Sequence, residues 1–396
     1  MEKIIYLDNN ATTMVDPLVL EEMLPYFCER YGNPSSMYDF GGSVAKSIAK
    51  ARMQVAEMLG AEHEREIVFT SCGTESDNMA IMGVLTQNHD KKHIITSRVE
   101  HPAVLNLCKK LERDGYRVTY IPVDREGLLN LDKLKEAVDA DTAVVSIMYA
   151  NNETGVIFPV EEIGAFLKEK NVPFHIDAVQ AVGKIPIDVK KINCDMLSIS
   201  GHKFHSPKGV GALYIKMGTK IQPLLHGGHQ EKGIRPGTEN VASIIGMGKA
   251  AELVLKNMDK EQRIEELRDK LESGILKKFA NCGLNGAKNR RVPNTTNVGF
   301  EYIEGESILL YLNEKNIAAS SGSACSSGSL EPSHVLRAMG VPFTSAHGSI
   351  RFSLSRFTTE EEIDYTLSVL PAIIERLLEI SPFWDSKNKK PTGIRF

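Results

Sequence analysis

The sequence predicts an α/β fold in which a large, mostly parallel sheet of seven strands is joined to a smaller α/β domain. Between about residues 66 and 215, short runs rich in β-branched residues alternate with amphipathic stretches of helical period. This alternation is typical of a parallel sheet covered by helices. After about residue 237 the pattern changes to one long helical region, followed by a shorter set of strands and helices. The two patterns together indicate the fold class and a division into two domains.

Each element of the large sheet is predicted from an apolar run of strand length. The strands are expected at residues 66–70, 93–96, 118–123, 143–148, 172–176, 195–200 and 211–215. The helices between them are expected at residues 75–85, 102–113, 131–138 and 160–168. Because parallel strands need a crossover connection, a helix between successive strands favours parallel order.

The rest of the chain predicts the smaller domain. A helical region spans 240–279 with an interruption near 257–260, and further strands and helices follow at 296–300, 306–313, 317–319, 333–339, 349–354 and 360–378. A first strand at 4–7 is expected to join this C-terminal part. We therefore predict a large domain at 15–255 and a small domain made of 1–14 and 256–396, which carries a Ser- and Gly-rich loop at 320–330.

Composition excludes several classes of protein. The 396 residues carry a net charge of −4 without a dense Lys/Arg block, so we expect no direct binding to nucleic acid or to membranes. No apolar run approaches the roughly 18 residues that span a bilayer, and the first residues lack the pattern of a signal peptide. The six cysteines are scattered without a C-x-x-C pair, which argues against a disulfide framework or a zinc site. The sequence predicts a cytoplasmic enzyme.

Asp177 and Lys203 are the first candidates for chemistry. Each follows an apolar run, and active sites of such sheets lie beyond the carboxyl ends of the strands. An acid and an amine at two strand ends suit pyridoxal phosphate (PLP), with the lysine holding the aldehyde as a Schiff base and the acid facing the ring nitrogen. Alone, Lys203 would be interpreted as a surface amine and Asp177 as a helix cap. Their combination favours the cofactor.

A phosphate site is predicted at the start of the helix after the first strand of the sheet. Gly73 permits close backbone approach, and Thr74 adds a hydroxyl to helix N-terminal amides. The alternative for this turn is an ordinary capping box. Ser200 and His202, on either side of Gly201, are expected to complete the phosphate site, with Thr238 as a further donor.

Four more polar residues are candidate ligands of the ring or the substrate. His101 is either a helix cap or an imidazole stacked on the ring for proton transfer. Asn152 is either a turn residue or a ring and substrate ligand, and Gln180 lies one turn beyond Asp177. Arg351 either binds a carboxylate or makes an internal ion pair.

Cys325 indicates the reaction. Its surroundings, SSGSACSSGS at 320–329, are too polar and glycine-rich for a structural thiol. A thiol presented by such a loop is a candidate nucleophile. The other cysteines lack this context.

Together these segments resemble the cysteine desulfurases of the NifS/IscS group. The resemblance covers nearly the whole chain and rests on YLDNNATT at 6–13, SGHK at 200–203, SSGSACSSGSLEPSHVLRAMG at 320–340 and RFSLS at 351–355. TSCGTESDN at 70–78, GTEN at 237–240 and SPFWD at 381–385 are closer to NifS than to IscS. Tyr38 departs from the histidine that relatives usually have there, so it is assigned no role.

The resemblance implies the aspartate aminotransferase-like fold of class V and a role for each candidate. Lys203 would carry PLP, Asp177 would face its nitrogen, and His101 would stack on the ring. The remaining contacts would come from Gln180 and Asn152 at the ring oxygen, Thr74, Ser200 and His202 at the phosphate, Thr238 from the other subunit of a homodimer, and Arg351 at the substrate carboxylate.

The resemblance also implies the reaction and the partners. Cys325 would attack the sulfur of PLP-bound L-cysteine, become a persulfide and leave L-alanine. The sulfur would pass to a NifU- or IscU-like iron–sulfur scaffold, for nitrogenase clusters or, alternatively, for general clusters and tRNA thiolation. Whether Cys325 transiently ligates an iron–sulfur cluster shared with that scaffold stays open.

Two other functions fit parts of the same pattern. An aminotransferase or a selenocysteine lyase would use the same cofactor, although an aminotransferase has no use for a thiol on a loop. A catalytically inactive protein that only docks on a scaffold would need no cofactor, yet every proposed site position carries a competent side chain.

Overall fold

The computed structural model describes residues 3–321, 332–385, 387–388 and 390–392. The strands are β1 (Ile5–Tyr6), β2 (Ile67–Thr70), β3 (His93–Ser97), β4 (Arg117–Ile121), β5 (Thr142–Met148), β6 (Phe174–Asp177), β7 (Met196–Ser200), β8 (Gly211–Ile215), β9 (Cys282–Leu284), β10 (Thr295–Phe300), β11 (Ile317–Ala318), β12 (Ser349–Ser353), β13 (Trp384–Asp385) and β14 (Lys390–Pro391).

The α-helices account for most of the remaining regular structure. They are α1 (Pro17–Met23), α2 (Pro25–Cys28), α3 (Asp39–Leu59), α4 (Gly73–Gln87), α5 (Pro102–Arg113), α6 (Leu131–Ala137), α7 (Val160–Lys170), α8 (Val189–Ile192), α9 (Val241–Asn257), α10 (Glu261–Lys278), α11 (Gly305–Glu314), α12 (His334–Ala338), α13 (Phe343–His347) and α14 (Glu360–Ile380). Short 3₁₀ turns occur at Glu64–Glu66, Gly201–Lys203, Gln230–Gly233 and Met258–Lys260. None of the helices that the structure describes is long and apolar enough to cross a membrane.

The large sheet has the order β2-β8-β7-β6-β5-β3-β4, which confirms the predicted seven-stranded, mostly parallel sheet. Only β8 is antiparallel to its neighbours β2 and β7, so β2 runs in the same direction as β7. Gly211 of β8 pairs with both Thr70 and Ser200. The carboxyl ends of β2 and β7 therefore lie side by side at one edge of the sheet.

The strands of this sheet are apolar because helices cover both faces. Every residue of β5 is buried, as is every residue of β6 and β7. Burial on both faces is what makes parallel strands read as continuous apolar runs rather than alternating ones. The predicted strand at 172–176 begins two residues later, at Phe174, because Pro173 has no amide N–H to give to the sheet.

The C-terminal elements form a second core. The antiparallel sheet β12-β10-β9 packs with α10 and α14, and Leu7 is buried in the same apolar cluster. β1 pairs in parallel with β11, so the start of the chain lies among these elements. The break between α9 and α10 falls at Met258–Lys260, where the interruption was expected. The domain bounds themselves, 15–255 and 1–14 with 256–396, stay a prediction.

Helices α1 to α3 were not predicted, although the chain carries signals for them. The Asp16 side chain caps α1 by accepting a hydrogen bond from the amide of Leu18, and Pro17 occupies the first position. Gly60 ends α3 with a left-handed φ of 67°, as glycine does at many helix C-termini. α3 packs along α9 against the large core.

Candidate active site

A cavity of about 170 Å³ lies at the carboxyl edge of the large sheet. It brings together most of the residues that the sequence singled out: Gly73, Thr74, His101, Asn152, Asp177, Gln180, Ser200, His202 and Lys203. Asp177 ends β6 and Ser200 ends β7, while Gly73 opens α4 directly after β2. The parallel strands therefore deliver residues that are far apart in the sequence to one place.

Asp177 lies at the bottom of this cavity and is 5% exposed. Its carboxylate accepts a hydrogen bond of 2.9 Å from the amide of Val179, so it also caps the turn that follows. Burial raises the pKa of Asp177 to about 6, against the opposing effects of that amide and of the Lys203 cation. An ionised Asp177 would gain stability from a protonated nitrogen bound above it.

A buried polar cluster that the sequence analysis missed lies around His175, two residues before Asp177 in β6. His175 lies between two serine hydroxyls, Ser146 Oγ and Ser198 Oγ, each 2.9 Å from a ring nitrogen. The Oδ1 atom of Asp77 is 3.6 Å from His175 Nε2 and has no hydrogen-bond partner among the described residues. Burial and the nearby Asp177 raise the pKa of Asp77, and burial lowers the pKa of His175 to about 3. The signal for this cluster was a histidine and serines inside otherwise apolar strands.

Lys203 stands in the 3₁₀ turn that follows β7. Its Nζ donates to the backbone carbonyls of Asn10 at 2.6 Å and Ala11 at 2.9 Å. The ring of His202 meets the hydroxyl of Thr12 at 3.2 Å. Burial and the charge of Lys203 lower the pKa of His202 to about 4, so its imidazole is neutral near pH 7. The N-terminal segment 10–13 thus contacts Lys203 and His202 of the site, which local sequence patterns did not reveal.

The start of α4 has the features of an anion site. A Cβ on Gly73 would lie 2.8 Å from Val179 Cγ2 and 3.4 Å from Ser200 Cβ, so only glycine lets the backbone come this close. The Ser200 hydroxyl is buried and has no hydrogen-bond partner among the described residues. An unpartnered buried hydroxyl and the first amides of a long helix suit a phosphate group. These donors and the acid–amine pair fit PLP.

The alternative interpretation of this turn, an ordinary capping box, does not hold, because the N-cap residue Cys72 makes no side-chain hydrogen bond to the start of α4. Glu75 accepts a hydrogen bond of 2.7 Å from the amide of Ser71 and forms an ion pair with Arg235 at 2.8 Å. That ion pair ties the segment before Thr238 to α4. Thr238 itself is exposed and does not line the cavity within one chain.

His101 caps α5, as one of its two interpretations predicts, and its position leaves the other as a proposal. Its Nδ1 accepts a hydrogen bond of 3.2 Å from the amide of Ala103, which caps α5. Its ring also lines the cavity, where burial and the charge of Lys203 lower its pKa to about 4. The neutral imidazole can therefore accept a proton near pH 7.

Arg351 makes the internal ion pair that was one of its two predicted interpretations. It donates to Asp8 at 2.7 Å and to the carbonyl of Asn152 at 3.0 Å, and it does not line the cavity. Its Nε is buried without a partner among the described residues. Arg351 therefore retains one donor for a further acceptor.

Cys325 lies outside the described residues. On one side of it Ser320 pairs with Arg351, and on the other Ser333 donates to a carboxylate oxygen of Glu153 at 2.5 Å. Within the described part of the chain, Cys72 is the cysteine that lines the cavity. The described residues contain no group of three or more His, Cys, Asp or Glu side chains that would hold a metal ion.

Glu100, directly before His101, should make the stability of the protein depend on pH. It is fully buried, accepts hydrogen bonds from Ser97 and the amide of Met148, and has its pKa raised from 4.5 to about 8 by burial. The folded protein therefore binds more protons than the unfolded chain between these values, and this stabilisation is lost as the pH rises through 8.

Glu100→Gln is therefore expected to be more stable than the parent chain at pH 9 by about 5 kcal/mol, and to lose this advantage near pH 4.5. Denaturant unfolding at a series of pH values measures the difference. Glu126→Gln, at an exposed position, is the matched control and should show no such trend. A pH-independent difference for Glu100→Gln would contradict the prediction.

Three comparisons with known proteins agree with this geometry. The family model "Aminotransferase class-V" matches residues 5–366. A cysteine desulfurase of Trichormus azollae is 60% identical over 96% of this chain and 95% of its own length. The cysteine desulfurase NifS of Azotobacter vinelandii is 56% identical over the same shares. A solved structure described as a NifS-like protein is 42% identical, covers 95% of this chain and 100% of its own, and superposes with a TM-score of 0.89.

Proposed function

This chain belongs to the class-V aminotransferase family and is a PLP-dependent cysteine desulfurase, and from that premise we propose which of its residues carry the reaction. Lys203 and Asp177 hold the cofactor, and Cys325 receives sulfur from L-cysteine. The observation that carries the proposal is the cavity in which the Lys203 amine, the buried Asp177 carboxyl and the α4 N-terminus come together.

The chain supplies a contact for each part of PLP. Lys203 would bind the aldehyde carbon and Asp177 the ring nitrogen. The phosphate would be held by Gly73, Thr74, Ser200 and His202, with Thr238 contributed by a second subunit. When bound, PLP supplies an electron sink next to the substrate carbon. Gln180 and Asn152 would contact the ring oxygen, and Arg351 would turn its free Nε toward the substrate carboxylate.

The sulfur transfer is assigned to Cys325. Its sulfur attacks the sulfur of the substrate, so that a sulfur–sulfur bond forms and the carbon–sulfur bond breaks. The released carbon takes up a proton and becomes the methyl group of alanine, while Cys325 keeps the extra sulfur as a persulfide. The neutral imidazole of His101 and the amine of Lys203 are the groups of the cavity that would move protons.

The assembly and the destination of the sulfur complete the proposal. We expect a homodimer, because Thr238 lies outside the cavity of its own chain. An iron–sulfur scaffold of the NifU or IscU kind would accept the sulfur, and the 56% identity to NifS favours nitrogenase maturation over a general role. We place the protein in the cytoplasm, where thiols stay reduced, since Cys28, Cys72, Cys108, Cys194 and Cys282 form no disulfide with one another in the part of the chain that the structure describes.

Mapping the persulfide tests the assignment of Cys325. After brief incubation with L-cysteine and alkylation, we expect the peptide that contains Cys325 to gain one sulfur atom, at up to one per chain. Cys72, which lines the cavity, is the internal comparison and should remain unmodified. If the added sulfur is found mainly on Cys72, the nucleophile is Cys72, at the start of α4, and not Cys325.

A further inference from the structure

A second lysine, Lys184, is buried beside the site and has no part in the reaction described above. It is 7% exposed and lies four residues after Gln180, in the turns that follow β6. Its Nζ donates to Gln180 Oε1 and, at 3.0 Å, to Asn10 Oδ1. A buried amine is costly unless it is hydrogen-bonded, so these two oxygens account for its presence here.

The amide of Gln180 has only one orientation that fits its neighbours. Gln180 Nε2 is 2.9 Å from the backbone carbonyl of Asn10, which can only accept a hydrogen bond. The reversed amide would place two acceptors against each other there, and would leave Lys184 facing an NH₂ group. Gln180 Oε1 therefore faces Lys184, and one hydrogen of Nε2 is already used.

The side chain of Asn10 is held in place by contacts that involve neither Gln180 nor Lys184. Its Nδ2 donates to the carbonyl of Asn152 at 3.2 Å and to the hydroxyl of Thr295 at 2.8 Å. Its Oδ1 also accepts from Asn294 at 3.1 Å. The acceptor that Asn10 offers to Lys184 is thus set by contacts with two other segments.

One polar hydrogen of Gln180 remains after these contacts, and Gln180 lines the cavity. We infer that Lys184 is a positioning residue, which holds Gln180 Oε1 so that the remaining N–H of Gln180 donates to the ring oxygen of PLP. This inference rests on the proposed contact between Gln180 and the ring.

Burial and the neighbouring charges determine the pKa of Lys184. Burial lowers the pKa of Lys184 well below its ordinary value, and the cations of Lys203 and Arg351 lower it further. Glu261, the first residue of α10, opposes them, and burial raises its own pKa to about 7. Removing Lys184 would take away a donor to Gln180 and, in its charged form, a cation near Lys203.

The test is the pH titration of the visible absorption of the holoenzyme. An N–H donor on the ring oxygen draws away the negative charge that would otherwise stabilise the proton on the adjoining Lys203 nitrogen. Lys184→Met should therefore raise the titration midpoint by about one unit, and Gln180→Leu should raise it in the same direction. Lys191→Met, on a side chain that is 73% exposed, is the matched control and should leave the midpoint unchanged.

The double variant Lys184→Met/Gln180→Leu separates positioning from an independent effect. We expect its shift to be smaller than the sum of the two single shifts, because Lys184 acts through Gln180. The inference would be wrong if the midpoint shift of the double variant equals the sum of the two single shifts. It would also be wrong if Gln180→Leu shifts the midpoint and Lys184→Met does not. Either result would leave the proposed ring contact of Gln180 in place. If neither single variant shifts the titration midpoint, the proposed ring contact of Gln180 is wrong as well. Lys184→Leu, which likewise offers no donor to Gln180 and has the same expected rise, replaces Lys184→Met if thermal unfolding shows that the latter does not fold.

Discussion

Replacing Lys203 with alanine is expected to lower the rate of alanine formation from L-cysteine by about 10⁴-fold or more and to remove the visible absorption of the bound cofactor. The side chain supplies the amine that holds the aldehyde, and no described neighbour can take its place. Lys184 Nζ, the other amine nearby, is engaged with Gln180 and Asn10. Absorption spectra and alanine assays on the purified variant measure both effects.

Lys203→Arg is the control for a purely structural effect. Its guanidinium keeps a positive charge and can donate to the carbonyls of Asn10 and Ala11, which Lys203 contacts at 2.6 and 2.9 Å. It does not form the covalent bond to the cofactor. We expect Lys203→Arg to fold like the parent chain and to be as inactive as Lys203→Ala. Appreciable activity in the arginine variant would refute the covalent role.

Cys325→Ser should abolish persulfide formation and lower alanine production from L-cysteine by about 10³-fold or more, because a hydroxyl is a far weaker nucleophile toward sulfur than a thiolate. The cofactor spectrum should stay unchanged, since none of the residues assigned to PLP is altered. Alanine, sulfide and bound sulfur are measured on the same sample.

Two cysteines provide matched controls for this variant. Cys72→Ser changes a thiol that lines the cavity, and Cys28→Ser changes an exposed one. Both variants are expected to keep most of the activity. Full alanine production by Cys325→Ser, or its loss in Cys72→Ser alone, would show that Cys325 is not the sulfur acceptor.

The sheet and its active edge were accessible from the sequence because both follow from local patterns. A strand buried on two faces needs a continuous apolar run, and the chain must then turn where that run ends. Asp177 and Ser200 stand at such ends, and Gly73 opens the helix after another. Parallel order alone brings these ends to one edge, so no long-range contact had to be known.

The support of the site was not accessible in the same way. Asn10 reaches Lys203, Gln180 and Lys184 from the start of the chain, through contacts that no spacing rule anticipates. The sequence did contain signals for helices α1 to α3, namely the caps at Asp16 and Gly60, but the sequence analysis did not use them.

By itself, the sequence determined the mostly parallel sheet, the residues at its carboxyl edge and the resemblance to cysteine desulfurases. The tertiary structure decided the contacts of polar residues that the sequence left open: His101 caps α5 and also lines the cavity, while Arg351 is paired with Asp8. The reason is physical. Local patterns report burial and backbone conformation, whereas the partner of a buried polar group is chosen by whichever distant segment the fold brings within hydrogen-bonding distance.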